Sequence, residues 1–157
     1  MQTVLVLEDE SSVMSLLRHI LGQYSLIEAT TAEEALRTFI DHDHQIDCLV
    51  ADVTLQTSSG IQVALLLRSE LPELPVIFTS GYPVSGWSDR AAADLERLGS
   101  TSVSILHKPF QPQALVDAVR QCLYDSPRRP ENPKTRAQSH FRATRPSWLR
   151  NRWGLFL

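Results

Sequence analysis

Ile46-Asp47-Cys48-Leu49-Val50-Ala51-Asp52 is the stretch that decides the fold of this chain. It is an apolar run bounded by polar segments and too short for a helix, the pattern of a strand buried on both faces of a parallel sheet. Such a strand leaves its last side chain at the carboxyl edge of the sheet, where open α/β folds collect ligands and chemistry. An acid placed there, Asp52, is therefore the first candidate for function. Two other apolar runs bring charge to the same edge: Val4-Leu5-Val6-Leu7 runs into Glu8 and Asp9, and Val103-Ser104-Ile105-Leu106 runs into His107 and Lys108.

Working outward, strands are predicted at 3–7, 25–29, 46–51, 75–79 and 103–106, with a segment of helical spacing between neighbours and another after the last. Repeated β-then-α units specify an α/β chain with a doubly wound five-stranded parallel sheet. The first helix carries Val13, Leu16, Leu17, Ile20 and Leu21 on one stripe, with Ser11 or Ser12 available as its cap. The second opens on a capping box, Thr31 with Glu34, and presents Ala32, Ala35, Leu36 and Phe39. The third runs from about Gly60 to Glu70 and is stopped by Pro72 and Pro75. After a long loop containing Gly81, Pro83, Gly86 and Trp87, the fourth runs from Asp89 to Leu98 on Ala92, Leu95 and Leu98. The fifth starts at Pro112 and ends near Tyr124, with Leu115, Ala118, Val119, Cys122 and Leu123 on its apolar face.

The 157 residues, 43% of them hydrophobic, have room for one domain and a tail. The net charge of −3 conceals an asymmetry. Residues 1–124 carry 7 Lys and Arg against 16 Asp and Glu, whereas residues 125–157 carry 8 against 2. An acidic domain over 1–124 is thus followed by a basic, Pro- and Arg-rich tail over 125–157, whose lack of periodicity reads as disorder. Cys48 and Cys122 sit in a strand and on a helix face, as small buried hydrophobes rather than a disulfide framework. With neither a secretion signal nor a run of 18 apolar residues, the expectation is a soluble cytoplasmic protein.

Right-handed crossovers in a sheet of order 2-1-3-4-5 bring the ends of the first, third and fifth strands together. Glu8, Asp9, Asp52 and Lys108 then share one pocket. Three carboxylates crowded together ask for a cation, and an all-oxygen site that keeps waters suits Mg²⁺. A carboxylate at its centre can attack a phosphoryl group, with the metal and a lysine stabilising the transferring oxygens. Asp52 is the nucleophile in that scheme, Glu8 and Asp9 hold the metal, and Lys108 contacts the phosphate.

These residues resemble the receiver domain of two-component response regulators, in particular the single-domain chemotaxis type. The resemblance covers residues 2–124 and rests on Glu8-Asp9, Asp52, Gly60 eight positions later, Thr79-Ser80-Gly81, and Lys108-Pro109-Phe110. It implies a flavodoxin-like fold and a stand-alone phospho-acceptor in phosphorelay signalling, phosphorylated on Asp52 by a histidine kinase or histidine phosphotransfer protein. The resemblance further implies that Ser80 is the switch hydroxyl, with Gly81 leaving the phosphate accessible. The Thr54 backbone carbonyl would complete the Mg²⁺ shell begun by Glu8, Asp9 and Asp52. Lys108-Pro109 would be a cis peptide, and the output surface would be the face of the fourth helix, fifth strand and fifth helix.

Three positions depart from the family pattern. Gln56 replaces a common proline and Ser59 a common acid, which predicts a looser loop after Asp52. Ile105 stands where the family carries its aromatic switch, and Tyr82 is the nearby candidate to report instead. Two alternatives remain open: a metal-dependent phosphatase using an aspartyl phosphate, disfavoured by Thr54 where a second aspartate belongs, and a receiver-like binding module that never takes phosphate. Asp41-His42-Asp43-His44 falls at the opposite edge and reads as a solvated loop. The aromatic and arginine-rich end of the tail suits an anionic membrane surface or an acidic partner. The tail is too short for a winged-helix domain, which argues against sequence-specific DNA binding.

Overall fold

The computed structural model describes residues 1–125. The expectations for the basic tail, including its membrane or acidic-partner contact, lie outside the described residues. The elements in chain order are β1 (Thr3–Leu7), α1 (Ser11–Ile20), β2 (Ser25–Ala29), α2 (Ala32–Asp41), β3 (Cys48–Asp52), α3 (Gly60–Glu70), β4 (Val76–Ser80), α4 (Asp89–Leu98), β5 (Val103–His107) and α5 (Pro112–Asp125), with a 3-10 turn at Val84–Gly86 before α4. All pairings are parallel and the strand order is β2-β1-β3-β4-β5. This is the flavodoxin-like doubly wound α/β sheet that the sequence specifies.

The central strands β3 and β4 are buried along their whole length, which explains why they read as continuous apolar runs. β5 lies at the sheet edge and its apolar residues are only half-buried. On one side of the sheet Val4, Val6, Cys48, Val50 and Ile77 pack against Met14, Leu17 and Leu21 of the α1 region and Leu115, Val119 and Cys122 of α5. Both cysteines are core residues, as expected. No helix among the described residues is long and apolar enough to cross a membrane.

Local chemistry corrects some expectations. Neither Ser11 nor Ser12 caps α1: the N-cap is Glu10, which makes no side-chain cap bond, and Ser12 Oγ donates to the Glu10 carboxylate. Leu16 is 47% exposed and Met14 is buried beside Leu17 and Leu21, so the buried stripe keeps most of its expected members and is displaced toward Met14 at the expense of Leu16. In α2 Thr31 Oγ1 accepts from the Glu34 N–H at 3.1 Å, but the Glu34 carboxylate reaches back to Thr30 N–H and Oγ1 instead of to Thr31. In α4 Ala92 is exposed, and Asp94 and Leu98 are the buried residues.

Candidate functional site

Three strand ends build the site. β1 stops at Leu7, and Glu8 keeps its line because its N–H donates to the Ala29 carbonyl at 3.1 Å. Asp52 is the last residue of β3 and pairs with Thr79, while the next N–H, of Val53, donates to the Thr79 carbonyl at 3.0 Å. Lys108 follows β5, and its N–H donates to the carbonyl of Ser80, the last residue of β4, at 2.8 Å. The Lys108–Pro109 peptide is cis.

These supports converge four charged side chains. Lys108 Nζ donates to Glu8 Oε2 at 2.9 Å and to Asp52 Oδ2 at 2.6 Å. Asp52 Oδ1 accepts from the Thr54 N–H at 2.9 Å, Glu8 Oε1 from the Glu10 N–H at 3.0 Å, and Asp9 Oδ2 from the Gln56 N–H at 2.7 Å. Glu8 is 1% exposed. Burial pushes its carboxyl above the ordinary glutamate range, although the hydrogen bond from Lys108 pulls the other way. For Lys108, burial works against the charge, but its hydrogen bonds to Asp52 and Glu8 outweigh that cost and hold the ammonium above the ordinary lysine range.

One carboxylate oxygen from each of Glu8, Asp9 and Asp52 lies within 4.8 Å of the other two. Three hard oxygen donors converging on one point fit a small divalent cation such as Mg²⁺, and the lysine bridging two of them shows how strongly the cluster attracts positive charge. Thr54 lies two positions beyond Asp52, with its N–H turned onto that carboxylate.

The loop from Asp52 to α3 is tied down despite its departures from the family pattern. Thr54 and Ser59 form an antiparallel bridge, and the Leu55 N–H donates to the Ser58 carbonyl at 3.2 Å. Gln56 contributes a backbone N–H to Asp9 that a proline could not supply. Gly60 is required by close approach: a Cβ there would sit 2.1 Å from the Asp52 carbonyl oxygen. At Gly81 a Cβ would meet nothing within 4 Å.

A sequence profile described as "Response regulator receiver domain" matches residues 4–120. The chain belongs to the response regulator receiver family. Receivers are the regulated modules of two-component systems, and this one is 34% identical over 123 residues to the transcriptional regulatory protein TdiR of Thauera aromatica, a match covering 77% of this chain and 51% of TdiR. It is 30% identical to the sensor kinase CckA of Brucella abortus over 77% of this chain but 12% of that protein. Among solved structures, the receiver domain of a hybrid histidine kinase CckA matches with a TM-score of 0.62 at 30% identity, covering 77% of this chain and 98% of that one. The receiver domain of NtrX from Brucella abortus matches with a TM-score of 0.65 at 26% identity, covering 78% and 99%. The chain therefore spans about half of TdiR and a much smaller share of CckA.

Of the residues singled out from sequence, Glu8, Asp9, Asp52 and Lys108 come together in this receiver. Ser80 is 1% exposed at the end of β4, but its hydroxyl is engaged with the β4–α4 loop: it donates to the Tyr82 carbonyl at 2.8 Å and accepts from Trp87 Nε1 at 3.2 Å. Ile105 is half-buried on β5, paired with Phe78. The Tyr82 side chain is 65% exposed, and it is the backbone of Tyr82 that meets Ser80. The sequence shows Trp87 only as a loop residue and gives no sign of its bond to Ser80 or of the Gln56 N–H on Asp9, since a loop tryptophan carries no periodic signal and a backbone donor has no signature.

Proposed function

We propose that this receiver accepts a phosphoryl group on Asp52 from a phosphohistidine, presented by a histidine kinase or a histidine phosphotransfer protein, and that this switches a protein-binding face. The observation that carries the proposal is the setting of the Asp52 carboxylate, with one oxygen on the Thr54 N–H and the other on the Lys108 ammonium, beside Glu8 and Asp9. A carboxylate oxygen of Asp52 attacks phosphorus and the P–N bond breaks. Its electron pair returns to the imidazole, which keeps or takes a proton, and an acyl phosphate remains on Asp52. Lys108 turns its ammonium from the Asp52 oxygen to the incoming phosphoryl oxygens while Glu8 continues to hold it. Glu8, Asp9, Asp52 and the Thr54 carbonyl would hold Mg²⁺, which supplies charge neutralisation between the acceptor carboxylate and the phosphoryl oxygens when bound.

On this reading Ser80 is the switch hydroxyl, and the moving surface is formed by α4, β5 and α5. The half-buried edge strand β5 supports that placement, since it is the part of the sheet near the site whose apolar side chains a partner could cover. The activity is acceptance and hydrolysis of the receiver's own phosphoryl group rather than turnover of a separate substrate, and the output passes through protein contacts. Intact mass after incubation with a small phosphodonor tests the proposal. Wild type gains one phosphoryl group only with Mg²⁺ and Asp52→Ala gains none; equal labelling of the two proteins would defeat the assignment.

A further inference from the structure

The Ser80 hydroxyl is saturated before any phosphoryl group arrives. It donates to the Tyr82 carbonyl at 2.8 Å and accepts from the Tyr82 N–H at 3.1 Å and from Trp87 Nε1 at 3.2 Å. A hydroxyl has one proton and two lone pairs, so its whole capacity is used within the loop. The indole N–H is shared as well, because it also reaches the Tyr82 carbonyl at 3.2 Å. Ser80 cannot donate to a phosphoryl oxygen until its proton leaves that carbonyl. When it does, the indole N–H already at hand takes the carbonyl over.

We propose that Trp87 is a positioning residue for the phosphorylation switch: its indole N–H latches the Ser80 hydroxyl onto the β4–α4 loop at rest and moves fully to the Tyr82 carbonyl when Ser80 turns to Asp52. The inference rests on the assignment of Ser80 as the switch hydroxyl. The latch has two discrete hydrogen-bonded arrangements, as a coupling element needs. It is also well placed to pass the change on. Trp87 closes the 3-10 turn, with its N–H on the Val84 carbonyl at 3.1 Å, and precedes Ser88, whose Oγ caps α4 by accepting from the Ala91 N–H at 3.2 Å. A shift of the ring therefore acts one residue from the N-cap of α4. Ile105 has neither a ring nor a polar atom with which to follow Ser80, and the Tyr82 ring stands in solvent.

The test uses ¹H–¹⁵N spectra of the full chain titrated with beryllofluoride and Mg²⁺, following the Asp52 amide and the indole signals of the 3 tryptophans. Trp87→Phe identifies the Trp87 indole and removes the N–H while keeping an aromatic ring. The Trp87 indole signal is expected to move with the same midpoint as the Asp52 amide. In Trp87→Phe that midpoint rises by about three- to tenfold, the worth of the one hydrogen bond the Tyr82 carbonyl lacks once Ser80 has turned away, whereas Tyr82→Ala leaves it in place. An Asp52 amide that responds while the indole stays fixed, or an unchanged midpoint in Trp87→Phe, overturns the latch. An Asp52 amide that does not respond at all overturns the acceptor assignment, and the latch with it. Should Trp87→Phe fail to fold, Trp148→Phe and Trp153→Phe assign the indole by elimination and the wild-type titration decides.

Discussion

Replacing Gly60 by alanine should displace the end of β3 that carries Asp52. The new Cβ would lie 2.1 Å from the Asp52 carbonyl oxygen and 3.0 Å from the Ala51 Cβ, against a practical lower limit of 3.0 Å for such contacts. The obstruction is backbone on both sides, so the end of β3 and the start of α3 must separate by about 0.9 Å, the difference between those two distances. Overpacking of this kind costs about 1–3 kcal/mol, which for a domain of this size lowers Tm by roughly 4–15 °C. The chemistry should suffer more, since a misplacement near 1 Å at a reacting group can cost on the order of a hundredfold in rate. Thermal unfolding and the rate of mass gain from a small phosphodonor, measured on wild type, Gly60→Ala and Gly81→Ala, check both effects. Gly81→Ala should match wild type in Tm, because a Cβ there meets nothing within 4 Å. A Gly60→Ala protein with wild-type Tm and wild-type rate would mean that the close approach of Gly60 does not hold Asp52 in place.

The raised pKa of Lys108 means that its contribution to stability is complete below the ordinary lysine value of 10.5 and is lost as pH rises past the folded-state value. Lys108→Met should therefore cost about 3 kcal/mol at neutral pH without divalent ions, by leaving buried Glu8 facing Asp52, and should flatten the alkaline limb of a denaturant-midpoint profile. Because the folded-state pKa of Glu8 lies above the ordinary 4.5, its proton competes with a cation over a wider acid range. Calorimetric Mg²⁺ affinity should weaken on acidification starting above pH 4.5, approaching tenfold per pH unit, and Glu8→Gln should remove that component. Arg68 donates to the carbonyls of Leu74, Leu98, Thr101 and Ser102, pinning the end of α4 to the start of β5. Arg68→Lys, which cannot span that fork, should cost about 2 kcal/mol and speed amide hydrogen exchange across residues 98–103.

The strands and the acid-lysine cluster were legible because one physical cause produces each signal. A strand buried on both faces has no room for a polar side chain until its end, so β3 and β4 declare both their course and the edge where Asp52 and Ser80 emerge. Predicted and observed strand limits differ by at most two residues, chiefly at the start of β3, where Asp47 instead accepts the Thr3 N–H through its carboxylate. Helix faces were less legible. α1 offers apolar residues at Leu16 and Met14 alike, and the packing of Met14 against the sheet, rather than periodicity, selects between them. Asp94 is buried in α4 with Arg97 as its partner, which an apolar stripe cannot reveal. In the site, sequence located the charges but not the hydrogen bonds that orient them. The Gln56 N–H on Asp9 and the indole on Ser80 depend on loop conformation, and the loop departures that suggest looseness are offset by backbone bonds that carry no residue signature.

Chemical identification of the phosphorylated residue distinguishes Asp52 from its neighbours. After reaction with a small phosphodonor and Mg²⁺, borohydride reduces an acyl phosphate to the alcohol, so the modified side chain can be read by peptide mass spectrometry. Homoserine is expected at position 52, with Glu8, Asp9 and Ser80 unmodified. Stable phosphate on Ser80 or a histidine, or reduction at Glu8 or Asp9 with Asp52 intact, would contradict it.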